Sequence, residues 1–464
     1  MGWSELRGTL DDPYRPVYHA APPCGWMNDP NGLIQFRGRY HLFYQYNPRG
    51  THCADCCWGH MDSADLLHWR HLPIAVWPGP GGYDAAGCWS GSALDTPGGI
   101  ALLYTGFSGQ GRAQGQCLAT SPDGVRFTKS LSNPVIPSPP VDFSPLDFRD
   151  PKLRREDGRY VVVTGSHREG KGAALQFVSD DLLHWRFFSV LAESDGSTGT
   201  MWECPDFFEL DGRHVLVVSP MGMGRARNIA FIGTYERDRG RLRPEHWVDL
   251  DLGWDFYAAQ TFPTNDGRRI LIAWMDNWGS KARPTEPHGW VGCMTVPREL
   301  SFLPDGRLRS WPVRELERAR GEGLRASDLA VAGTAELEGA GGEALDIELD
   351  LDWGSARRMG LDVRRSPDGS ERFRIEFDRE ACTIRCDRSR SGAGAGELWP
   401  ESSARCETTS LRVLVDRSSV EVFADGGAVV LSHRCYPQPG SDGVALFAEG
   451  GEALLKRFAC WPIS

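Results

Sequence analysis

No run of the chain approaches the roughly 18 consecutive apolar residues of a membrane-spanning helix. The stretch from Met1 to Pro16 lacks the basic start and apolar core of a secretion signal. The expectation is a cytoplasmic protein with no membrane partner. Positive charge is also scarce: 51 Lys and Arg stand against 62 Asp and Glu, a formal net charge of −11 at pH 7. That balance argues against nucleic acid as a main partner. The 13 cysteines are an odd number scattered over both halves, which suits free thiols better than a disulfide framework. Their one cluster is Cys53-x-x-Cys56-Cys57, with His52 and His60 beside it. No second ligand pair follows at a zinc-site spacing, so the cluster reads as a Cys-rich loop and no metal is assigned. Long helical stripes of period i, i+3, i+4 are missing before about residue 312.

What is present is a repeat. The chain has 464 residues and 41% hydrophobic content, too long for one ordinary core, so two domains are expected. A glycine turn followed by a β-rich run recurs five times, with key glycines at Gly38, Gly98, Gly158, Gly212 and Gly267. A second signature agrees: Asp65-Leu66-Leu67-His68-Trp69-Arg70 returns as Asp181-Leu182-Leu183-His184-Trp185-Arg186. Repeats of this length with several short strands each read as propeller blades. The fold class expected is all-β: a five-bladed β-propeller over 1–312, a linker with a short helix over 313–330, and a β-sandwich over 331–464. The last assignment rests on alternating stretches such as Leu345-Asp346-Ile347-Glu348-Leu349 and Val420-Glu421-Val422-Phe423.

The repeat locates three acids. Asp29 lies nine residues before its turn glycine, Asp150 eight and Glu203 nine. The other two repeats carry Ser90 and the Ala259-Gln260-Thr261 stretch at that place. Innermost propeller strands face the central channel, so these carboxylates are expected to share one pocket. A single strand-end acid reads as a turn cap; three in step do not. An acid, a second carboxylate and a third to hold hydroxyls is the inventory of glycosidic bond hydrolysis. Aromatic and amide groups suited to a sugar lie in the same repeats: Trp58, Trp89, Trp202, Tyr257, Trp274, Asn28 and Gln45. A calcium site is the rival use of clustered carboxylates, but no D-x-D-x-D-G loop is present.

These segments resemble glycoside hydrolase family 32, the invertases, fructanases and sucrose-6-phosphate hydrolases. The motifs are W-M-N-D-P-N-G at 26–32, F-R-D-P-K at 148–152 and W-E-C-P-D at 202–206. Further matches are Tyr44 to Pro48, Trp58 to His60, Trp89 to Ser92, Phe256 to Phe262 and Asp416 to Phe423, in order along nearly the whole chain. The resemblance implies the same two-part fold and no metal or organic cofactor. It implies Asp29 as nucleophile on the anomeric carbon of fructose, Glu203 as acid and then base, and Asp150 as the group holding fructose hydroxyls. Asn28, Gln45, Trp58, Trp89, Ser90, Arg149 and Tyr257 would line the fructose subsite, and the two-step chemistry would retain configuration. Trp89 stands where many relatives carry Phe. The Cys53–Cys57 loop is a second departure, expected to reshape the leaving-group side of the pocket.

The activity expected is release of β-D-fructofuranosyl units from sucrose or a short fructoside, so the partner is a small sugar. Sucrose 6-phosphate hydrolysis, exo-fructanase action and fructosyl transfer remain alternatives. For the first, Arg227, Lys281, Arg283 and His288 are candidate phosphate partners, each of which also reads as an ordinary surface residue. A non-catalytic fructan-binding protein is the alternative of a different class, weakened by the complete acid set. Nothing in the sequence fixes an oligomeric state.

Overall fold

The computed structural model describes residues 12–109, 111 and 114–464; residues 1–11, part of the stretch read for a secretion signal, lie outside the described residues. The five repeats form five antiparallel sheets. Each begins with an innermost strand: Gly25–Phe36, Gly87–Thr96, Arg149–Glu156, Met201–Leu210 and Tyr257–Pro263. These strands lie against one another in succession, and the fifth meets the first, so the sheets are the blades of a five-bladed β-propeller. The ring closes through Trp290–Val291, which runs parallel to Gly25 and Trp26.

The second strand of each blade reads as an apolar run because both of its faces are covered. Ile100, Leu102 and Tyr104 pack towards the first blade, whereas Ala101 and Leu103 pack towards the third. One apolar layer of this kind fills each of the five junctions between blades. The turn residues follow from backbone geometry. Arg37-Gly38, Asp157-Gly158 and Asp211-Gly212 have positive φ at both positions, the type I′ hairpin that favours Asp before Gly. Asp65 accepts from the backbone N–H groups of Leu67 and His68 at 3.0 and 2.9 Å. Asp181 does the same for Leu183 and His184 at 2.9 and 2.8 Å. These repeated acids are turn caps, away from the innermost strands.

Beyond the ring, a 3₁₀ turn at Arg314–Ala319 takes the place of the expected short helix. The strands Leu324–Ala326 and Leu329–Gly341 then pair with the long C-terminal strand Gly443–Pro462. The first part of that long strand also pairs with Arg358–Arg365, and its last part with Leu345–Asp352. One large sheet is thereby folded into two layers, sandwich-like, around a core that includes Ile347, Leu361, Phe373 and Val422.

A buried ionic clasp joins the sandwich to the propeller. Arg298 of the fifth blade donates to Asp251 at 2.9 Å and to Glu421 of the sandwich. His19 contacts Glu421 Oε1 at 2.8 Å and Asp416 Oδ2 at 2.7 Å, with all three side chains fully buried. Contact with two carboxylates requires both ring nitrogens to donate, hence a protonated imidazole. Burial alone would lower the His19 pKa, but the hydrogen bonds to Asp416 and Glu421 outweigh it and lift it from 6.5 to about 9. A group that binds its proton more tightly when folded stabilises fully below its unfolded pKa, and the contribution disappears as pH rises through the folded one. Between about pH 6.5 and 9 the protein is therefore expected to lose about 3 kcal/mol of stability. Denaturant unfolding of the wild type and of His19→Gln across that range checks this: the loss should be smaller in the variant by about that amount.

Candidate active site

A cavity of about 550 Å³ opens where the starts of the innermost strands converge. Every one of those strands breaks register at this point. The breaks fall between Met27 and Pro30, Trp89 and Gly91, Arg149 and Lys152, Glu203 and Asp206, and Tyr257 and Gln260. These are β-bulges, which free residues from the ladder and re-aim their side chains. In three of them the residue after the last paired one has positive φ: Asp150 at 63°, Cys204 at 50° and Ala258 at 55°. Proline has no N–H to offer a ladder and is tolerated at a bulge, which accounts for Pro30, Pro151 and Pro205 beside the acids.

The bulges refine the sequence frame. Asp150 occupies the bulged position, whereas Glu203 sits one place earlier, level with Arg149, Trp89 and Tyr257. Asp29 is the second of two unpaired residues in the first blade. The three acids meet from different layers of the bulge.

Each motif residue has a distinct task. Trp26 Nε1 donates to Asn28 Oδ1 at 2.7 Å, which turns the Asn28 amide group so that Nδ2 donates to Asp29 Oδ1 at 3.0 Å. Ser90 Oγ donates to Asp29 Oδ2 at 2.6 Å. Burial pushes the Asp29 pKa up, these two donors restrain it, and Glu203 adds to the rise. Arg149 donates through Nε to Glu203 Oε1 at 3.0 Å and through Nη1 to Asp147 Oδ1 at 2.8 Å. Tyr257 donates its hydroxyl to Glu203 Oε2 at 2.7 Å. Asp150 Oδ2 accepts from the Cys204 N–H at 2.9 Å. Burial drives the Asp150 pKa up; Arg149 opposes this, and Glu203 and Asp29 reinforce it, leaving the value at about 7.

Below the acids the motifs tie the ring together. Lys152 Nζ donates to Gln260 Oε1 at 3.0 Å and Thr261 O at 2.6 Å, and pairs with Asp206 at 2.8 Å, joining the third, fourth and fifth blades. Phe148 and Trp202, which open their motifs, are core residues between blades.

Of the residues expected at the site, Asn28, Asp29, Gln45, Trp89, Ser90, Arg149, Asp150 and Glu203 line the cavity. Tyr257 stands behind Glu203 and acts on it. Trp58 and Trp274 are corrected: both are fully buried. Trp58 donates to the Trp89 carbonyl at 3.0 Å beneath the wall. Trp274 lies under Trp278 and Trp26, with ring centroids 4.9 and 5.7 Å away. Neither presents a face to a ligand in the cavity. The lining also contains residues that sequence reasoning missed. Trp278, 47% exposed, stacks on Trp26, and Phe107 stacks on Trp89 at 4.3 Å. Asp147, Gln114 and Leu146 complete the Arg149 side. Asp147 had a signal, two residues before Arg149; Trp278 lies outside the repeat and had none. The Cys53–Cys56 loop lines the mouth. A larger groove, about 1110 Å³, lies between the outer parts of the third and fourth blades, but holds none of the three acids.

None of the four basic residues considered for a phosphate lines the cavity. Arg227 is paired with Asp249, Arg283 lies over Trp26 and near Asp276, His288 contacts Asp12 at 3.1 Å, and Lys281 is exposed. Among the described residues, Arg149 is the one basic group in a lining that holds Asp29, Asp55, Asp147, Asp150 and Glu203.

Residues 19–312 match the Glycosyl hydrolases family 32 N-terminal domain, and residues 315–462 match the Glycosyl hydrolases family 32 C terminal. The chain is 38% identical over 479 residues to a sucrose-6-phosphate hydrolase of Escherichia coli, covering 99% of this chain and 96% of that one. It is 38% identical over 483 residues to a raffinose invertase of Escherichia coli, covering 99% and 97%. A mutant β-fructofuranosidase of Bombyx mori, solved in complex with sucrose, superposes with a TM-score of 0.86 at 31% identity, covering 99% of this chain and 96% of the other.

The electrostatics of the acid cluster predict that Asp150 titrates near neutrality, at about 7. In ¹³C-carboxyl NMR its midpoint should fall in Glu203→Gln, because the Glu203 charge is among the groups raising it. A midpoint unchanged by that substitution would contradict the described coupling.

Proposed function

The chain belongs to glycosyl hydrolases family 32, and from that premise we propose that it is a β-fructofuranosidase releasing terminal β-D-fructofuranosyl units from sucrose or short fructosides. The observation that carries this reading is the acid cluster at the cavity floor: Asp29 held between Asn28 and Ser90, and Glu203 held between Arg149 and Tyr257.

Asp29, fixed through both oxygens, attacks the anomeric carbon of fructose. Glu203 gives a proton to the glycosidic oxygen as the bond breaks. The covalent fructosyl ester on Asp29 is then hydrolysed by water that Glu203 deprotonates, with net retention. Asp150, oriented by the Cys204 N–H, holds fructose hydroxyls. Its pKa of about 7 lets it both donate and accept near neutral pH and keeps the cluster from carrying three full charges.

The charge of the lining favours a neutral substrate. Among the described lining residues a phosphate dianion would approach five acids and one arginine that is already engaged, a field that repels it. Sucrose 6-phosphate is kept as the second reading because a relative of that name is 38% identical. All 13 cysteines are unpaired, which supports placing the enzyme in a reducing compartment, the cytoplasm.

Fructose release from sucrose, sucrose 6-phosphate, inulin and levan tests the reading. Asp29→Asn and Glu203→Gln should each stay folded and lose about a thousandfold or more in kcat. Sucrose should exceed sucrose 6-phosphate in kcat/KM by about tenfold; the reverse order would establish the phosphorylated substrate. Ser90→Ala removes a donor that lowers the Asp29 pKa. Asp29 must be ionised to attack, so the acid limb of the kcat/KM profile should move to higher pH.

A further inference from the structure

The Cys53-Cys56 pair is not used by the chemistry above, yet it stands on the wall of the cavity. Its loop joins the second and third strands of the first blade, Arg39–Asn47 and Cys57–Ser63. Cys53 is exposed and Cys56 buried, and their sulfurs are 3.7 Å apart. Cys57 turns elsewhere and donates to the Tyr46 carbonyl at 3.2 Å. Among the described residues no group of three or more His, Cys, Asp or Glu is arranged to hold a metal ion, so a closed zinc site does not explain the pair.

We propose that Cys53 and Cys56 form a reversible disulfide on the cavity wall, through which a two-electron oxidant such as hydrogen peroxide lowers turnover of fructosides with a bulky leaving group. The gating part rests on the fructofuranosidase reading; the disulfide does not. A disulfide requires the sulfurs to close to about 2.0 Å, a shift of less than two thiol radii for residues already in contact. Both ends of the loop are pinned, the His52 carbonyl by Asn47 Nδ2 at 3.0 Å and the Cys56 carbonyl by the Cys88 N–H at 2.8 Å. Closure must therefore be taken up by the loop tip, Ala54 and Asp55, and both of these residues line the cavity. The acids at the floor come from the innermost strands, so the reacting fructose sits below and its leaving group meets the loop.

The two thiols suit different steps. The hydrogen bond from Cys56 holds the Cys53 thiol below its ordinary pKa, while the same contact and burial push Cys56 up. Exposed Cys53, as thiolate, attacks one peroxide oxygen; the O–O bond breaks, leaving a sulfenic acid and hydroxide, which takes a proton to become water. Cys56 gives up its proton and attacks the Cys53 sulfur, and the departing hydroxide becomes a second water. Two thiols are oxidised to one disulfide as one peroxide is reduced to two waters.

The test uses the full-length protein, reduced and then treated with peroxide, with sucrose and methyl β-D-fructofuranoside as substrates. Peptide mapping after alkylation should find Cys53 and Cys56 joined. The kcat/KM for sucrose should fall about tenfold, because displacements of about 1 Å near reacting groups carry costs of this order. Turnover of the methyl fructoside, whose leaving group is too small to reach the loop, should change less than about twofold. A dithiol reductant should restore both. Cys53→Ser and Cys56→Ser, each compared with its own untreated form, should lose the disulfide and the response, whereas Cys382→Ser, at an exposed site in the sandwich, should keep them. Free Cys53 and Cys56 under conditions that oxidise Cys382 would overturn the proposal. A disulfide without change in sucrose turnover would overturn the gating alone. Inactivity of the reduced protein on both sugars would overturn the enzymatic reading and the gating with it, while the mapping would still decide the disulfide.

Discussion

Three carboxylates crowded beside one guanidinium form the constraint on which the rest of this structure depends. Asp29, Asp150 and Glu203 share a cavity in which Arg149 is the one cation among the described residues, and like charges in a buried site oppose one another's ionisation. The protein answers with directed donors. Asn28 and Ser90 hold Asp29, Arg149 and Tyr257 hold Glu203, and the Cys204 N–H holds Asp150. One proton near neutrality on Asp150 relieves what the donors do not. Such positions require side chains aimed off the regular pleat, which is the task of the bulges. Positive φ at a non-glycine residue such as Asp150 or Cys204 is strained. It persists because Lys152 and Asp206 lock the same segments across three blades.

Most of this arrangement was legible in the sequence, for a physical reason. A blade is a local unit, so its hairpin glycines, its doubly buried second strand and its capped turns all follow from short-range rules. The spacing of Gly38, Gly158 and Gly212 was enough to bring Asp29, Asp150 and Glu203 to one channel. The bulges were not legible, because an extra residue in one strand shows only against its partner. Counting from the turn therefore made Glu203 equivalent to Asp29, when its layer is that of Arg149 and Tyr257. The family resemblance implies Trp58 at the sugar, and its place in the repeat suggests Trp274, but neither sign reports whether a ring is covered. Burial decides between core and ligand for an aromatic ring, and burial is a tertiary property. Trp278 shows the converse: an exposed ring supported by Trp26, carried on the connection that follows Trp274 in the fifth blade.

The motif from Asp416 to Phe423 carries no chemistry of the cavity, and the structure gives it another purpose. Asp416 and Glu421 hold His19, Glu421 also holds Arg298, and Asp416 accepts from the backbone of Val17 and Tyr18. The N-terminal segment, the fifth blade and the sandwich meet at that one buried cluster. Fully buried ions are costly when a partner is missing, so the cluster favours one arrangement of the two parts. The segment leading from His19 enters the strand that carries Asp29, and the blade that carries Arg298 also carries Tyr257. The sandwich thereby braces two blades that supply the site.

The floor and the mouth of the cavity are built differently, and this separates reaction from preference. The floor belongs to innermost strands locked on both sides by neighbouring blades, where a small displacement would disturb the acids. The mouth belongs to connections: the Cys53–Cys56 loop, the Leu146–Asp147 segment and the Trp278 turn. A change there leaves Asp29 and Glu203 in place and alters only what the departing sugar encounters. The acidic rim, with Asp55 and Asp147, is one such setting: its field acts on the charge of what enters rather than on its shape. It follows that relatives sharing the floor can differ in substrate without any difference in mechanism, and that the residues to compare between them lie on the loops.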